Sequence, residues 1–183
     1  MNFSTKRVVT VFAIVFLLAT HASFAAGQRL GGAAGIALPL GVLADTRGLG
    51  YHALAFVSTS GGLLRLEFGT AMFPGGEGSV ESPRQHGDWR SVSAAVSVRP
   101  SLYSTERSRV RAHIGVSGHR LSIPNVSNPY GTVPGAQFGI GHEVRRGRMI
   151  LSADLGLHTV LSDFGLIDFH TAHFIPVTLG VSW

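Results

Sequence analysis

The sequence contains no cysteine, only one lysine and few charged residues. Without cysteine the chain has no disulfide, thiol nucleophile or thiolate metal site, so thiol enzymes and cysteine-bound zinc proteins are excluded. Charged residues make up 14% of the chain, whereas apolar residues make up 45%. After the N-terminal segment, no apolar run approaches the roughly 20 residues that a transmembrane helix requires. High hydrophobicity is thus present without a segment that could cross a membrane as a helix.

The N-terminal segment has the features of a secretory signal. Lys6 and Arg7 precede an apolar run of about a dozen residues, which is the length of a signal h-region. Ser23 and Ala25 then place small residues at the −3 and −1 positions of a cleavage site. We expect residues 1–25 to be a signal peptide and residues 26–183 to form one domain. An uncleaved anchor is the alternative.

Period-two alternation of apolar with small or polar residues runs through eight segments. In one of them, Leu64, Leu66 and Phe68 alternate with Arg65 and Glu67. Four longer connections alternate with three shorter ones, although the segment from Pro100 to Ser108 is long for a turn. The pattern predicts an all-β fold, an eight-stranded antiparallel up-and-down transmembrane β-barrel. The segments begin near Leu30, Tyr51, Leu64, Ser91, Arg109, Ala136, Met149 and Ile175.

The two faces of these segments differ in composition. One carries Leu, Val, Ile, Phe and Met, and the other carries Gly, Ala and Ser with a few long polar residues. A membrane surrounds an apolar exterior favourably, and β-strands satisfy all their backbone hydrogen bonds there only in a closed barrel. We therefore assign the bulky face to lipid and the mixed face to a narrow, polar-plugged lumen. The predicted interior network consists of Arg65, Glu67, Arg111, His113, Glu143, Asp154 and His158.

The chain ends in an alternating segment, Leu179 to Trp183, with an aromatic residue last. With the signal and the eight strands, this end resembles the small outer-membrane barrels typified by the OmpA membrane domain and OmpX, from about Gln28 onward. The resemblance implies a monomer in the cell outer membrane, without a cofactor, in contact with membrane lipid and lipopolysaccharide. It also implies that Trp183 is the signal read by the barrel-assembly machinery. Pro176 departs from the pattern because it removes a ladder donor and leaves the local register uncertain.

Aromatic residues near strand ends are expected to form girdles at the two membrane interfaces. Phe56, Phe68 and Phe138 lie within strands, where we expect them to face lipid. The predicted girdle residues are Tyr51, Phe73, Trp89, Tyr103, Phe164, Phe169, Phe174 and Trp183.

Arginines cluster near the shorter connections. Two interpretations stay open: attraction to the phosphate headgroups of the inner leaflet, or ordinary solvation of turn residues. The arginines form no basic stripe and accompany no nucleic-acid-binding motif, so the net charge of +5 does not predict a nucleic-acid partner. The clustered residues are Arg99, Arg107, Arg109, Arg145, Arg146 and Arg148.

The sequence favours a structural or surface-interaction role without enzymatic activity. A lipid A-modifying enzyme is one alternative, since some barrels of this size use His, Ser and an acid. His158 and Asp154 share a face, but four residues along a strand separate them by roughly 13 Å. A soluble periplasmic barrel that binds a lipid-like ligand is another alternative. A metal site in the last loop is a third, formed by Asp163, Asp168, His170 and His173.

Overall fold

A computed structural model describes residues 27–75, 88–122, 132–161 and 171–183. The predicted signal peptide and the loop residues Asp163, Phe164, Asp168, Phe169 and His170 lie outside these ranges. None of the helices within them is long and apolar enough to cross a membrane. The elements are β1 (Arg29–Leu40), α1 (Val42–Thr46), β2 (Gly50–Ser58), β3 (Leu64–Phe73), β4 (Trp89–Val98), β5 (Ser101–Ser104), β6 (Ser108–Ser122), β7 (Thr132–Arg146), β8 (Met149–Leu161) and β9 (Thr171–Ser182).

The strands form one closed antiparallel sheet. Each strand pairs with its neighbour along the chain, except that β4 pairs with β6 and not with β5, and β1 pairs with β9 to close the ring. Both β4 and β5 pair with β6, and together they occupy one position around the barrel. The fold is therefore the predicted eight-stranded up-and-down barrel.

A proline divides the fourth strand of the barrel. The pairs Val98 with Ile114 and Ser101 with Arg111 lie in the same register, so β5 continues β4 beyond Pro100. Proline has no amide hydrogen, and the ladder loses one donor there. The turn to β6 lies between Ser104 and Ser108, which corrects the prediction that the whole segment from Pro100 to Ser108 is a connection.

The connections lie at two ends of the barrel. At the turn end, three short connections lie beside Arg29 and Trp183, and Gly62 and Gly147 adopt positive φ angles of 70° and 62° in two of them. At the loop end are the four longer connections, and the first contains the unpredicted helix α1. The predicted alternation of long and short connections is confirmed.

Several strands extend further than the sequence pattern predicts. β7 begins at Thr132 and β9 begins at Thr171, four residues before the starts predicted near Ala136 and Ile175. Pro176 does not shift the register. The pairs of Leu155 with Val177 and of His158 with Phe174 follow one register, although the ladder has no pairs between them.

The bulky face points outward as predicted. Val92 is 63% exposed and Leu179 is 71% exposed, whereas Arg111 on the opposite face is 2% exposed. Phe56 contradicts the prediction, because it is 3% exposed and lies inside the barrel. Its ring packs beneath the Arg65 guanidinium, with 3.8 Å from Cζ to the ring centroid.

Aromatic side chains fill the lumen at the loop end. Phe73, Trp89 and Phe174 are buried in the barrel core, so their assignment to an interfacial girdle is wrong. Leu43 of α1 joins the same core, which places the short helix over the loop end. Three of the predicted girdle residues, Tyr51, Tyr103 and Trp183, are exposed, in line with that prediction. The core residues are Ala37, Leu43, Ala71, Phe73, Trp89, Leu121, Val160, Ala172 and Phe174.

Candidate functional site

Buried ion pairs fill the turn-end half of the lumen. The Arg99 guanidinium donates to Asp154 and lies 3.5 Å from Glu143 Oε1. Arg111 Nε donates to Glu143 Oε2 at 2.9 Å, and its Nη1 donates to the Arg99 carbonyl at 2.9 Å. Its Nη2 donates to the Gly61 carbonyl in the turn between β2 and β3. The network therefore joins several strands and one turn across the barrel.

The predicted position of Arg99 is also wrong. We assigned it to the exposed arginine cluster, but it is 1% exposed and lies in the lumen. The reason is that the strand continues past Pro100, so position 99 keeps the inward orientation of Ser97. The period-two pattern itself predicts an inward side chain at position 99, but the proline that follows suggests that the strand has already ended.

A second polar cluster surrounds Glu67. Ser97 Oγ donates to Glu67 Oε1 at 3.1 Å, and Gln137 Nε2 donates to Glu67 Oε2 at 3.2 Å. Arg65 Nη1 lies 3.8 Å from the same carboxylate. Arg65 and Glu67 thus interact as neighbours on β3, rather than each pairing across the lumen. Gln137 was not among the predicted interior residues.

His113 occupies the middle of the lumen with little room around it. Its Nδ1 is buried and has no hydrogen-bond partner within the described ranges. A β-carbon at Gly139 would overlap the His113 ring, and one at Gly141 would overlap the Asp154 carboxylate. The two glycines therefore make space for these inward side chains.

Histidine and aromatic rings form the layer above the ion pairs, toward the loop end. The centroid of His158 lies 5.3 Å from that of His52 and 4.9 Å from that of Phe174. Phe73 contacts both Trp89 and Phe174, with centroids 5.4 and 5.3 Å apart. His158, which the sequence assigns to the interior network, therefore contacts the rings of this layer.

His119 is held between two serines in the loop-end half. Its Nδ1 lies 2.9 Å from Ser91 Oγ, and its Nε2 lies 2.8 Å from Ser117 Oγ. All three side chains are buried. Because hydroxyl groups occupy both ring nitrogens, this arrangement lacks the carboxylate that orients the histidine of a catalytic triad.

Little space is left between the two layers. A lumen cavity of about 30 Å³ is lined by His52, His113, Gln137, His158 and Thr178, among others. Such a volume holds at most about two or three water molecules, since about 10–15 Å³ is enough for one. Sites for organic ligands are typically about 300–1,000 Å³. The cavity is too small for a lipid-like ligand.

A histidine also lies on the outer surface. His142 Nε2 is 2.7 Å from Ser108 Oγ, and His142 is exposed. It lines a groove of about 280 Å³, whose other walls are almost entirely apolar. Within the described ranges, no carboxylate forms a hydrogen bond with His142. The groove residues are Val110, Ile140, Gly141, His142, Ala153, Asp154, Leu155 and Val177.

The described residues contain no group of three or more His, Asp or Glu side chains that could hold a metal ion. His173 Nδ1 instead lies 3.1 Å from Thr159 Oγ1. At the loop end, Arg90 donates to Asp88 at 3.1 Å and the Gly75 amide donates to it at 3.3 Å. These two hydrogen bonds lower the pKa of the Asp88 carboxyl.

Comparison with known proteins identifies the fold. No family model and no curated protein sequence matches the chain. The crystal structure of Neisserial surface protein A is similar, with a TM-score of 0.62 and 13% identity over 86% of this chain and 96% of that chain. A major outer membrane protein from Thermus thermophilus aligns with a TM-score of 0.47 and 11% identity, over 86% of this chain and 98% of that one. Yersinia pestis Ail, crystallised with a heparin analogue, aligns with a TM-score of 0.42 and 13% identity, over 85% of this chain and 96% of that one.

The similarity to the Neisserial protein is in fold, since the identity is low. It covers the closed ring, the strand number and the up-and-down order. The chain therefore has the fold of the small eight-stranded outer-membrane β-barrels, the group that its sequence resembles.

Proposed function

We propose that the protein is a monomeric outer-membrane barrel with a closed lumen, whose role is structural or is exercised through the longer loops. The observation that carries this proposal is the filling of the lumen by two buried layers. Ion pairs occupy the turn-end half, and histidine and aromatic rings occupy the loop-end half. A barrel filled in this way has no continuous path for ions.

The outward belt of large apolar side chains supports the membrane location. Exposed apolar surface of this extent is unfavourable in water, whereas a lipid bilayer solvates it. The belt surrounds a closed sheet, so no strand edge exposes unpaired backbone groups to lipid. Outer-membrane lipid and lipopolysaccharide are the partners that such a surface fits.

Planar-bilayer recording tests the closed lumen. We expect the purified protein to give no stable conductance steps, since the ion pairs of Arg99 and Arg111 obstruct the barrel. An open porin measured in the same bilayers is the control. Reproducible unitary conductance from the purified barrel would contradict the proposal.

Cell fractionation tests the location. The protein should remain with detergent-extractable outer membranes and should migrate differently on a gel before and after heating. Release in soluble form by osmotic shock would instead favour a periplasmic ligand-binding barrel.

One observation favours a second candidate function, a lipid-modifying enzyme. The hydrogen-bonded pair of Ser108 and His142 faces an apolar groove on the outer surface. A histidine beside a hydroxyl is the minimal arrangement for activating that hydroxyl as a nucleophile. Single replacements of His113, His142 and His158, with mass spectrometry of lipid A, separate the candidates. An acylation change that the wild type produces and a replacement abolishes would establish the enzyme.

We further propose that Trp183 is the assembly signal. It is 61% exposed at the end of the closing strand, where a partner protein could contact it. Trp183→Ala should lower the amount of assembled barrel in the outer membrane, whereas Trp183→Phe should preserve it. Equal amounts for both variants would contradict this role.

A further inference from the structure

The lumen face of the barrel carries more arginines than carboxylates. Within the described part of the chain, the inward carboxylates are those of Glu67, Glu143 and Asp154, and each is paired with a buried arginine. Further arginines lie on the same face of their strands at the turn end, and none of them forms an ion pair with a described residue. The paired arginines are Arg65, Arg99 and Arg111, and the others are Arg29 on β1, Arg109 on β6 and Arg145 on β7.

The arginines without an ion pair share one pocket at the mouth of the lumen. Arg29, Arg109 and Arg145 line it, and Arg107 of the turn before β6 lines it with them; we call this the turn-end pocket. A hydrogen bond of 2.8 Å from the Arg145 amide to the Arg107 carbonyl fixes the turn against β7. Arg145 Nε donates to the Gly147 carbonyl at 3.3 Å, which orients the guanidinium at the mouth. The excess positive charge of the lumen is therefore collected in one place.

Two carboxylates also line the turn-end pocket, but they do not neutralise it. Glu143 is already paired with Arg99 and Arg111 deeper in the lumen, at 3.5 and 2.9 Å. Glu106 is exposed in the turn and forms no ion pair within the described ranges. Four arginines thus face one carboxylate that is not already paired.

The charges around the turn-end pocket repel one another. Arg109, Arg111 and Arg145 act on Arg29 as like charges, and Glu143 attracts it. Repulsion between like charges at short range is relieved when an anion lies between them. The planar, forked guanidinium group matches the oxygens of a phosphate in particular.

The turn-end pocket is small. Its volume is about 20 Å³, whereas sites for organic ligands are typically about 300–1,000 Å³. Only a compact charged group fits among the arginines, and a phosphate group is compact. Because Arg29, Arg109 and Arg145 lie on the lumen face, this group enters through the mouth of the lumen and not through the outer wall.

We infer that the turn-end pocket binds a phosphate group. The group belongs either to a free phosphate or to the headgroup of a lipid at the membrane surface, and the experiment separates the two sources. Binding does not depend on the proposed membrane location, which decides only the side of the membrane that the pocket faces. Arg107, Arg109 and Arg145 of the sequence-defined arginine cluster belong to this site, whereas Arg146 and Arg148 do not line it.

Isothermal titration calorimetry of the purified, folded protein in nonionic detergent tests the site. The probes are inorganic phosphate, dioctanoyl phosphatidylglycerol, and dioctanoylglycerol, which lacks the phosphate. We expect saturable binding of a probe that carries phosphate, at least about tenfold tighter than binding of chloride or of dioctanoylglycerol. Binding of inorganic phosphate identifies a free anion as the ligand, and binding of phosphatidylglycerol alone identifies a lipid headgroup. Saturable binding of neither would overturn the inference.

A matched pair of variants separates the turn-end pocket from general charge. Arg109→Ala with Arg145→Ala should weaken binding of the phosphate probe about tenfold, because charge-assisted hydrogen bonds are lost. Arg146→Ala with Arg148→Ala removes the same charge outside the pocket and should change the affinity less than about twofold at constant ionic strength. The same loss in both double variants would overturn the inference.

A variant of the rim carboxylate tests the site in the opposite direction. Glu106→Gln removes the one lining carboxylate without an ion pair, so it should tighten binding of the phosphate probe by at least about twofold. Because Glu106 is exposed in a turn, this variant is expected to fold even if the double arginine variant does not. Unchanged or weaker binding by Glu106→Gln would overturn the inference. Since binding is measured on purified protein, its failure is distinct from a failure of the proposed location, which fractionation reports.

Discussion

At the scale of single residues, the Arg99 guanidinium connects the ionised groups of the lumen. It contacts both Asp154 and Glu143 from a fully buried position. Removing one partner of a buried ion pair is costly because the remaining charge is left without compensation. The charged half of the lumen therefore depends on this side chain.

We predict that Arg99→Met lowers the free energy of unfolding by about 3–5 kcal/mol. Urea unfolding of the barrel in phosphatidylcholine vesicles, followed by tryptophan fluorescence, measures the change. The exposed control Arg148→Met should stay within about 0.5 kcal/mol of the wild type. Arg99→Met combined with Asp154→Asn should recover part of the loss, and no recovery would contradict the ion-pair explanation.

Glycines 32 and 35 of β1 provide a matched pair. A β-carbon at Gly35 would overlap the Val177 carbonyl oxygen, whereas the nearest atom to one at Gly32 is the Leu54 carbonyl oxygen at 3.5 Å. We predict that Gly35→Ala destabilises the barrel by about 1–3 kcal/mol, because backbone has to move. Gly32→Ala should cost clearly less in the same unfolding assay. Equal losses of stability in the two variants would contradict a specific effect of the backbone contact at Gly35.

The parity of a residue, its odd or even position along a strand, predicted most of the side chains that point into the lumen. Arg65, Glu67, Arg111 and Asp154 all lie on the inward face that the sequence assigns to them. Phe73 shares the parity of Arg65, so the same rule predicts an inward side chain, whereas its position at the strand end suggests a girdle residue.

Phe56 could not be placed from the pattern, because both faces of β2 mix apolar and small residues. Its inward position follows from pairing with Glu67 on the neighbouring strand, which the sequence of β2 alone does not contain. The pairing of Gln137 with Glu67 depends on contacts across the lumen in the same way.

At the scale of elements, Pro100 interrupts a strand whose register stays the same from Val98 to Ser101 and shifts between Ser101 and Tyr103. The Ala112 amide donates to the Pro100 carbonyl at 3.1 Å, and the return hydrogen bond is missing because proline has no amide hydrogen. The sequence therefore suggested the end of a strand where the fold has only a gap in the ladder.

We predict that Pro100→Ala closes the gap in the ladder between β4 and Ser101, while the irregularity between Ser101 and Tyr103 stays. The new amide should donate to the Ala112 carbonyl and exchange slowly with deuterium. The gain of about 1 kcal/mol from the hydrogen bond nearly cancels the entropy that proline saves, so stability should change little. Rapid exchange of the amide at position 100 would contradict a continuous ladder.

Strand existence was easier to predict than strand length. The alternation marks every strand, but the first residues of β7 and β9 include Pro134, His173 and other types common in loops. Their neighbours in the sheet hold these residues in strands through ladder pairs with β6 and β8. Helix α1 has five residues, too few for helical periodicity to be read from sequence.

At the scale of the whole molecule, large apolar side chains face outward, as the proposed membrane location requires. Ile114, at the middle of β6, is 54% exposed, and Leu102, near the turn end, is 63% exposed. Arginine on the lipid face costs about 2–4 kcal/mol at the bilayer midplane and about 0–1 near the interface.

We therefore predict that Ile114→Arg destabilises the barrel in phosphatidylcholine vesicles by about 2–4 kcal/mol, and that Leu102→Arg costs at most about 1. Urea unfolding in vesicles measures both variants. Equal costs at the two positions would contradict a membrane around the middle of the barrel.

The pairing of β1 with β9 has a consequence for folding. These strands are almost the whole described chain apart in sequence, yet they share a ladder from Gly31 with Ser182 to Leu40 with His173. Until that seam forms, β1 and β9 each present an open edge that could pair with another chain. Contacts between distant segments form slowly, so we expect this seam to close at a late step and both edges to stay exposed to aggregation until then. Escort of the unclosed chain to the membrane would matter most at this step.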